Sequence, residues 1–167
     1  ANKESIICGW NLIKKKLNKY NTKFIPIDSE HFSIWSLIGD AKNNNLEKVY
    51  LTASGGPFRK FTLKQFKSIT PKKALKHPNW SMGNKISIDS ATMMNKVFEI
   101  IEAKKIFSLR YDQLEILIHP QSYLHAIVKF NNGLIKFLAH DTSMSIPIFN
   151  SLYTKNEKDI RSKPLNT

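Results

Sequence analysis

The chain has 167 residues, 41% of them hydrophobic and 11% aromatic, which suits one domain with a buried core and excludes a disordered chain. Its formal net charge of +13 comes from lysines scattered among asparagines and isoleucines, without a basic arm, zinc-finger spacing or aromatic RNA-binding motif, so no nucleic-acid partner is expected. No run approaches the roughly 20 apolar residues of a membrane span, no export signal opens the chain, and a single cysteine, Cys8, excludes an intrachain disulfide and points to a reducing compartment.

Residues 3–20 carry helical spacing, with Lys14, Lys15, Lys16 and Lys19 on the wet face and Cys8 read as a small buried hydrophobe. Residues 23–27 form a short β-leaning run ending at Asp28-Ser29-Glu30, and 31–38 return to helical spacing. A polar loop at 39–45 leads to a strand at 48–52 and then to the turn cluster Ser54-Gly55-Gly56-Pro57. Short helices fit 62–66 and 71–75, the second with Thr70 as cap and Pro71 at its first position. Residues 77–83 read as an exposed loop, 86–88 as a strand, and a long helix begins at Asp89 or Ser90 and runs to Phe107. On it Met93, Met94, Val97, Ile100 and Ile101 form the apolar side, with Asn95, Lys96, Glu99 and Glu102 opposite. Strands follow at 114–118, 124–130 and 134–139, the last two joined by an Asn132-Gly133 hairpin turn, and residues beyond Tyr153 look like a linker.

Three groupings can carry chemistry. Asp28, Glu30 and Glu99 are hard oxygen donors of the kind that hold Mg²⁺ or Mn²⁺, although acidic residues at a strand end are ordinarily just solvated. Ser54-Gly55-Gly56 after a strand, Ser90 at a helix start, Asn95 and Lys96 together suit an anion, while each alone reads equally as a cap, a turn or a surface lysine. The loop bearing His77, Trp80 and Met82 is either a lid that excludes water or a surface turn whose apolar residues pack inward. His125, in a strand, reads as a hydrogen-bonded structural histidine.

Six blocks in order carry a family resemblance: Ala1 to Ser5, Pro26 to His31 around Asp28-Ser29-Glu30, Ser54-Gly55-Gly56-Pro57-Phe58-Arg59, His77-Pro78-x-Trp80-x-Met82-Gly83, Asp89 through Lys96, and Ile118-His119-Pro120-Gln121-Ser122. Together they resemble 1-deoxy-D-xylulose-5-phosphate reductoisomerases over most of residues 1–150. The resemblance implies that Asp28, Glu30 and Glu99 bind the divalent metal and that Ser29 contacts the substrate beside it. It implies that Ser54, Ser90, Asn95 and Lys96 hold the substrate phosphate with His77 nearby, and that Trp80 and Met82 belong to a mobile lid. Lys3 matches a lysine between cofactor and substrate, and Met82 and Gly83 fall on the cofactor side. Lys3, Glu30 and Glu99 are accordingly the catalytic candidates.

The implied reaction converts 1-deoxy-D-xylulose 5-phosphate to 2-C-methyl-D-erythritol 4-phosphate with NADPH, in isoprenoid precursor synthesis. The implied protein is a homodimer, cytoplasmic in a bacterium or plastid-type if eukaryotic, paired through the strands at 114–139. The expected fold is α/β, a mixed sheet covered by helices, with a catalytic domain at 1–153 and a linker at 154–167. No Gly-rich dinucleotide fingerprint occurs here, so NADPH is expected to depend on a domain outside this chain and the chain alone is expected not to turn over. Val97-Phe98 stands where the family usually has Gly-Leu, placing a bulky residue next to Lys96, and Thr142-Ser143 replaces Pro-Asp. Those departures leave two other readings: a remnant that keeps the fold without the chemistry, and a basic polyanion-binding module.

Overall fold

A computed structural model of the chain describes residues 2–39, 46–153 and 158–161. Helix α1, Lys3–Lys19, starts where the Asn2 side chain accepts the Ser5 N–H at 2.9 Å, and it ends on Lys16 and Lys19, whose charges suit the negative end of the helix. It presses Ile6 and Trp10 inward and leaves Lys14, Lys15, Lys16 and Lys19 exposed. Cys8 is also exposed, because its position faces away from the Ile6–Trp10 stripe. The expected buried cysteine is therefore corrected.

Helix α2, Ser29–Ile38, has Asp28 as its N-cap. Residues 23–27 form no strand, so Asp28 and Glu30 sit at a helix start rather than at a strand end. Strand β1, Leu46–Ala53, is followed by the short helices α3, Leu63–Phe66, and α4, Pro71–Ala74. Thr70 caps α4 as expected, accepting the Lys73 N–H.

The long helix expected from residue 89 or 90 is two helices, and the expected strand at 86–88 lies inside the first. Helix α5, Asn84–Ala91, begins at Gly83, and Ser87 donates its hydroxyl to the Gly83 carbonyl at 3.0 Å. A three-residue apolar run does not separate strand from helix, and here Ser87 and Ala91, one turn apart, form the buried stripe. Met93 then adopts a left-handed φ of 60° and redirects the chain into helix α6, Met94–Phe107. After a 3₁₀ turn come β2, Leu114–Ile118, β3, Leu124–Phe130, β4, Ile135–Ala139, and a helix the sequence reading left unassigned, α7, Ser145–Leu152.

The sheet has order β2-β1-β3-β4, with β1 parallel to β2 and antiparallel to β3. Gly133 takes the positive φ (84°) that closes the β3–β4 hairpin. One sheet face carries Val49, Leu51, Leu114, Ala126 and Val128, which pack against Ile34 and Ile38 of α2 and Ala103 and Phe107 of α6. On the other face Tyr50, Ile127 and Phe137 stand across from one another, and Ile135 and Phe137 at the edge are 59% and 68% exposed. The mixed sheet with covering helices matches the expected class. The expected linker lies mostly outside the described residues, and its described part, 158–161, holds no helix or strand.

Gly56 is the tightest joint between β1 and α5. At φ 69° an added Cβ would stand 2.9 Å from the Ser90 carbonyl oxygen. Gly56→Ala is expected to cost about 1–3 kcal/mol of stability through backbone strain, measured by denaturant unfolding; an unchanged midpoint would show that the two segments separate freely.

Candidate active site

Asp28, Ser29 and Glu30 form the start of α2, and Glu99 projects from the middle of α6, which packs beside it. Asp28, Glu30 and Glu99 each place a carboxylate oxygen within 4.8 Å of the others. The face of α6 expected to be wet is in fact the inward one: Lys96, Glu99 and Glu102 are 5%, 2% and 2% exposed, whereas Met94 and Val97 are both 43% exposed. The polar stripe is buried because it has buried partners. Lys96 Nζ lies 2.6 Å from Glu30 and 2.5 Å from Glu99, and Lys3 Nζ reaches Glu102 at 2.7 Å and Asp28 at 3.5 Å. His31 completes the cluster, with Nε2 2.9 Å from the Glu99 carbonyl and Nδ1 3.3 Å from Asp28.

The electrostatics follow from this packing. Burial and then the neighbouring Glu30 push the Glu99 carboxyl up to about 8, against the pull of Lys96 and Lys3. Burial opposes charge on His31, but Asp28 outweighs it and raises the imidazole to about 9. Desolvation would raise Asp28, yet His31, Lys3 and Lys96 hold its carboxyl well below the usual range. Burial likewise opposes charge on the two lysines, and the surrounding carboxylates keep both above the ordinary lysine value.

The donor set fits a hard divalent cation. All three side chains offer carboxylate oxygen, and cationic groups already stand against them, with Lys96 Nζ 2.5 Å from Glu99 Oε2 and His31 Nδ1 3.3 Å from Asp28 Oδ1, as a cation among the carboxylates would.

A cavity of about 270 Å³ runs from these carboxylates toward the β1–α3 turn. It is lined by Asp28, Ser29, Glu30, Ser54, His77, Trp80, Met82, Ser90, Asn95, Lys96 and Glu99, which brings most of the sequence candidates into one site. Lys3 and Gly83 are not on that lining: Lys3 is held behind it by Glu102, and Gly83 is the exposed N-cap of α5. Ser90 lines the cavity from the last turn of α5, so its expected place at a helix start is corrected; the helix start at the cavity is that of α6, with Asn95 and Lys96 in its first turn. Val97 points away from the site, so the bulky residue beside Lys96 does not crowd it.

His77 Nε2 lies 3.1 Å from Ser54 Oγ, which also accepts the Gly56 N–H at 3.2 Å. His125 is buried and hydrogen-bonded to the His140 carbonyl at 3.1 Å, as a structural histidine, and it stacks on the His140 ring at 3.7 Å. Trp80 meets His125 edge-on at 6.1 Å, so the loop rests on the sheet. Glu102, His31 and the loop contact Asn79 were missed. The spacing Lys96, Glu99, Glu102, each three positions after the last, marks one helical face and was the available signal.

Residues 24–107, half of the chain, match the family described as "1-deoxy-D-xylulose 5-phosphate reductoisomerase C-terminal domain". A 1-deoxy-D-xylulose 5-phosphate reductoisomerase of Pelagibacter ubique (strain HTCC1062) is 73% identical over 99% of this chain and 43% of its own length. One from Phocaeicola vulgatus is 50% identical over 89% of this chain and 38% of its own length. Thus the chain spans less than half the length of these relatives. Among solved structures, the Zymomonas mobilis reductoisomerase with NADPH superimposes with a TM-score of 0.88 at 36% identity, over 99% of this chain and 42% of that one. A reductoisomerase complex with NADPH, fosmidomycin and magnesium gives 0.86 at 39% identity, with the same coverage.

Glu99 must be ionised to ligate a cation, and without one it is protonated below about pH 8. Mn²⁺ binding at pH 7 is therefore expected to release about one proton, and affinity to rise with pH until near 8. Calorimetry in buffers of different ionisation enthalpy measures the release; none at pH 7 would place Glu99 outside the ligand set.

Proposed function

The chain belongs to the 1-deoxy-D-xylulose 5-phosphate reductoisomerase family, and we propose that it forms the metal- and substrate-binding part of an enzyme converting 1-deoxy-D-xylulose 5-phosphate to 2-C-methyl-D-erythritol 4-phosphate with NADPH. One observation carries this reading: a single cavity joins three carboxylates that can share a hard cation to a pocket of hydroxyls, an amide and a lysine suited to a phosphate.

Mg²⁺ or Mn²⁺ held by Asp28, Glu30 and Glu99 supplies Lewis acidity toward the carbonyl and hydroxyl oxygens of a ketose. The chain's own residues do the rest. Ser54, Ser90, Asn95 and Lys96 anchor the phosphate, which orients the reacting carbons by remote binding energy. Ser29, whose Oγ lies 2.5 Å from Glu30, stands where the substrate backbone meets the carboxylates. Trp80 and Met82 close the cavity and exclude water from a reactive aldehyde. Lys3, with Met82 and Gly83, faces the cofactor side, and its ammonium is held at the edge of the carboxylate cluster by Glu102. The solved relative that holds NADPH, fosmidomycin and magnesium supports the same ligand set here.

The enzyme pairs as a homodimer through the uncovered sheet face and the β4 edge, where Ile135 and Phe137 are exposed. The single cysteine suits a reducing cytoplasm, where the reading places the protein.

The test titrates the protein with a hydroxamate phosphonate, whose two chelating oxygens stand in for the substrate's and whose phosphonate stands in for the phosphate. Binding is expected to require Mn²⁺ and to weaken about 100-fold or more in Glu99→Gln, since even partners behind a metal ligand cost 10- to 100-fold. Mn²⁺-independent binding that survives the substitution sinks the reading and leaves a polyanion module in its place. Separately, Phe137→Lys is expected to shift the protein toward monomer in sedimentation, while a dimer that persists unchanged moves the interface elsewhere.

A further inference from the structure

The cavity's lid loop, residues 77–83, is tied to the β2–β3 connection through Asn79. The Asn79 side-chain nitrogen lies 2.6 Å from the Pro120 carbonyl oxygen and 2.7 Å from Ser122 Oγ. A carbonyl only accepts, so the amide NH₂ faces the β2–β3 connection and donates to both. Ser122 is buried and sits at a left-handed φ of 60°, a costly conformation that presents its hydroxyl to the loop.

The same fastening fixes a proton. His77 Nδ1 lies 3.2 Å from the Asn79 N–H and 2.9 Å from the Trp80 N–H, and both are obligate donors. Nδ1 therefore carries a lone pair, and the proton of the neutral ring sits on Nε2, which donates to Ser54 Oγ at 3.1 Å. Ser54 Oγ already accepts the Gly56 N–H, so with both lone pairs taken its own hydroxyl proton is left to point into the cavity. Burial also lowers the His77 pKa, which favours the neutral ring that this arrangement needs.

We propose that Asn79 is a positioning residue for the phosphate pocket: by latching the loop to Pro120 and Ser122 it holds two lid amides on His77 Nδ1, fixes the Nε2–H tautomer, and turns the Ser54 hydroxyl into a donor toward bound phosphate. This rests on the pocket being the phosphate site. It makes lid position and phosphate affinity two readings of one hydrogen-bond chain, from Ser122 through Asn79 and His77 to Ser54.

The test uses the full-length enzyme carrying this chain, with ring-¹⁵N histidine and His77 assigned by its loss in His77→Gln. The wild type is expected to show bare Nδ1 and protonated Nε2. Asn79→Asp keeps the size but has no proton for the Pro120 carbonyl, and Ser122→Ala removes one acceptor while sparing Asn79. Both are expected to mix the His77 tautomers and to weaken inorganic phosphate binding, roughly 10-fold for Asn79→Asp, the worth of one or two hydrogen bonds, with Mn²⁺ affinity unchanged. A protonated Nδ1 in the wild type overturns the proposal, and so do variants that keep both the tautomer and the phosphate affinity. If Asn79→Asp loses Mn²⁺ binding as well, the decision passes to Ser122→Ala, which disturbs less. If the wild type binds no phosphate, the phosphate reading fails, and the ring tautomer still decides whether Asn79 sets the His77 proton.

Discussion

The fold is arranged around a group of charges that it should not, on stability grounds, contain. Lys96, Glu99, Glu102 and His31 are almost fully buried, with Lys3, Asp28 and Glu30 packed against them. Removing one such ion from water costs of order 20 kcal/mol in the idealised limit, and pairing repays that only when the geometry is good. Apolar residues of similar volume would be no worse for stability and are often better. Its cost in stability accords with the cation site proposed for it. Glu99 shows the tension directly: two cations touch it, yet burial and Glu30 still push it toward the protonated state. A site built this way is poised for a cation carrying more charge than a lysine.

The rest of the architecture brings a second site next to the first. The left-handed turn at Met93 aims α6 so that its first turn, with Asn95 and Lys96, opens on the cavity while Glu99, one turn on, meets Asp28 and Glu30. A continuous helix through 89–107 would have carried Ser90 on the α6 axis. Broken, it leaves Ser90 at the end of α5, where the Gly56 turn can lie against its carbonyl. Glycine at 56 and a non-glycine left-handed residue at 93 are thus the two backbone devices that set the anion pocket beside the carboxylates.

Residue types were legible in the sequence where their environment was not. Most site residues named from the motifs do face the cavity, Lys3 and Gly83 excepted, because those blocks are short and local. What failed was inference from amphipathicity. The rule that charged helical faces are wet placed Glu99 and Glu102 outside, and it fails wherever buried charges find partners across a helix interface. The strand expected at 86–88 failed for a related reason: three apolar positions carry too little period to choose, and the buried pair is Ser87 and Ala91, one helical turn apart. Asn79 and Ser122 had no local signal, since they meet across 43 residues.

The departures at Val97 and Phe98 argue against decay. A drifting remnant would accumulate changes on both faces of α6, and the buried face costs most to keep. Here the inward positions Lys96, Glu99 and Glu102 retain a complete set of partners, while the unusual Val97 falls on the half-exposed side and Phe98 lies under Lys85 at 5.5 Å. The same division explains the charge of the whole chain. The chain's surplus of +13 includes exposed lysines such as Lys14, Lys15, Lys16 and Lys19, which favour the approach of an anion, whereas the site itself is rich in carboxylates. Lys96 bridges the two regions, its ammonium against Glu30 and Glu99 and its backbone in the first turn of α6 at the cavity beside Ser54 and Ser90.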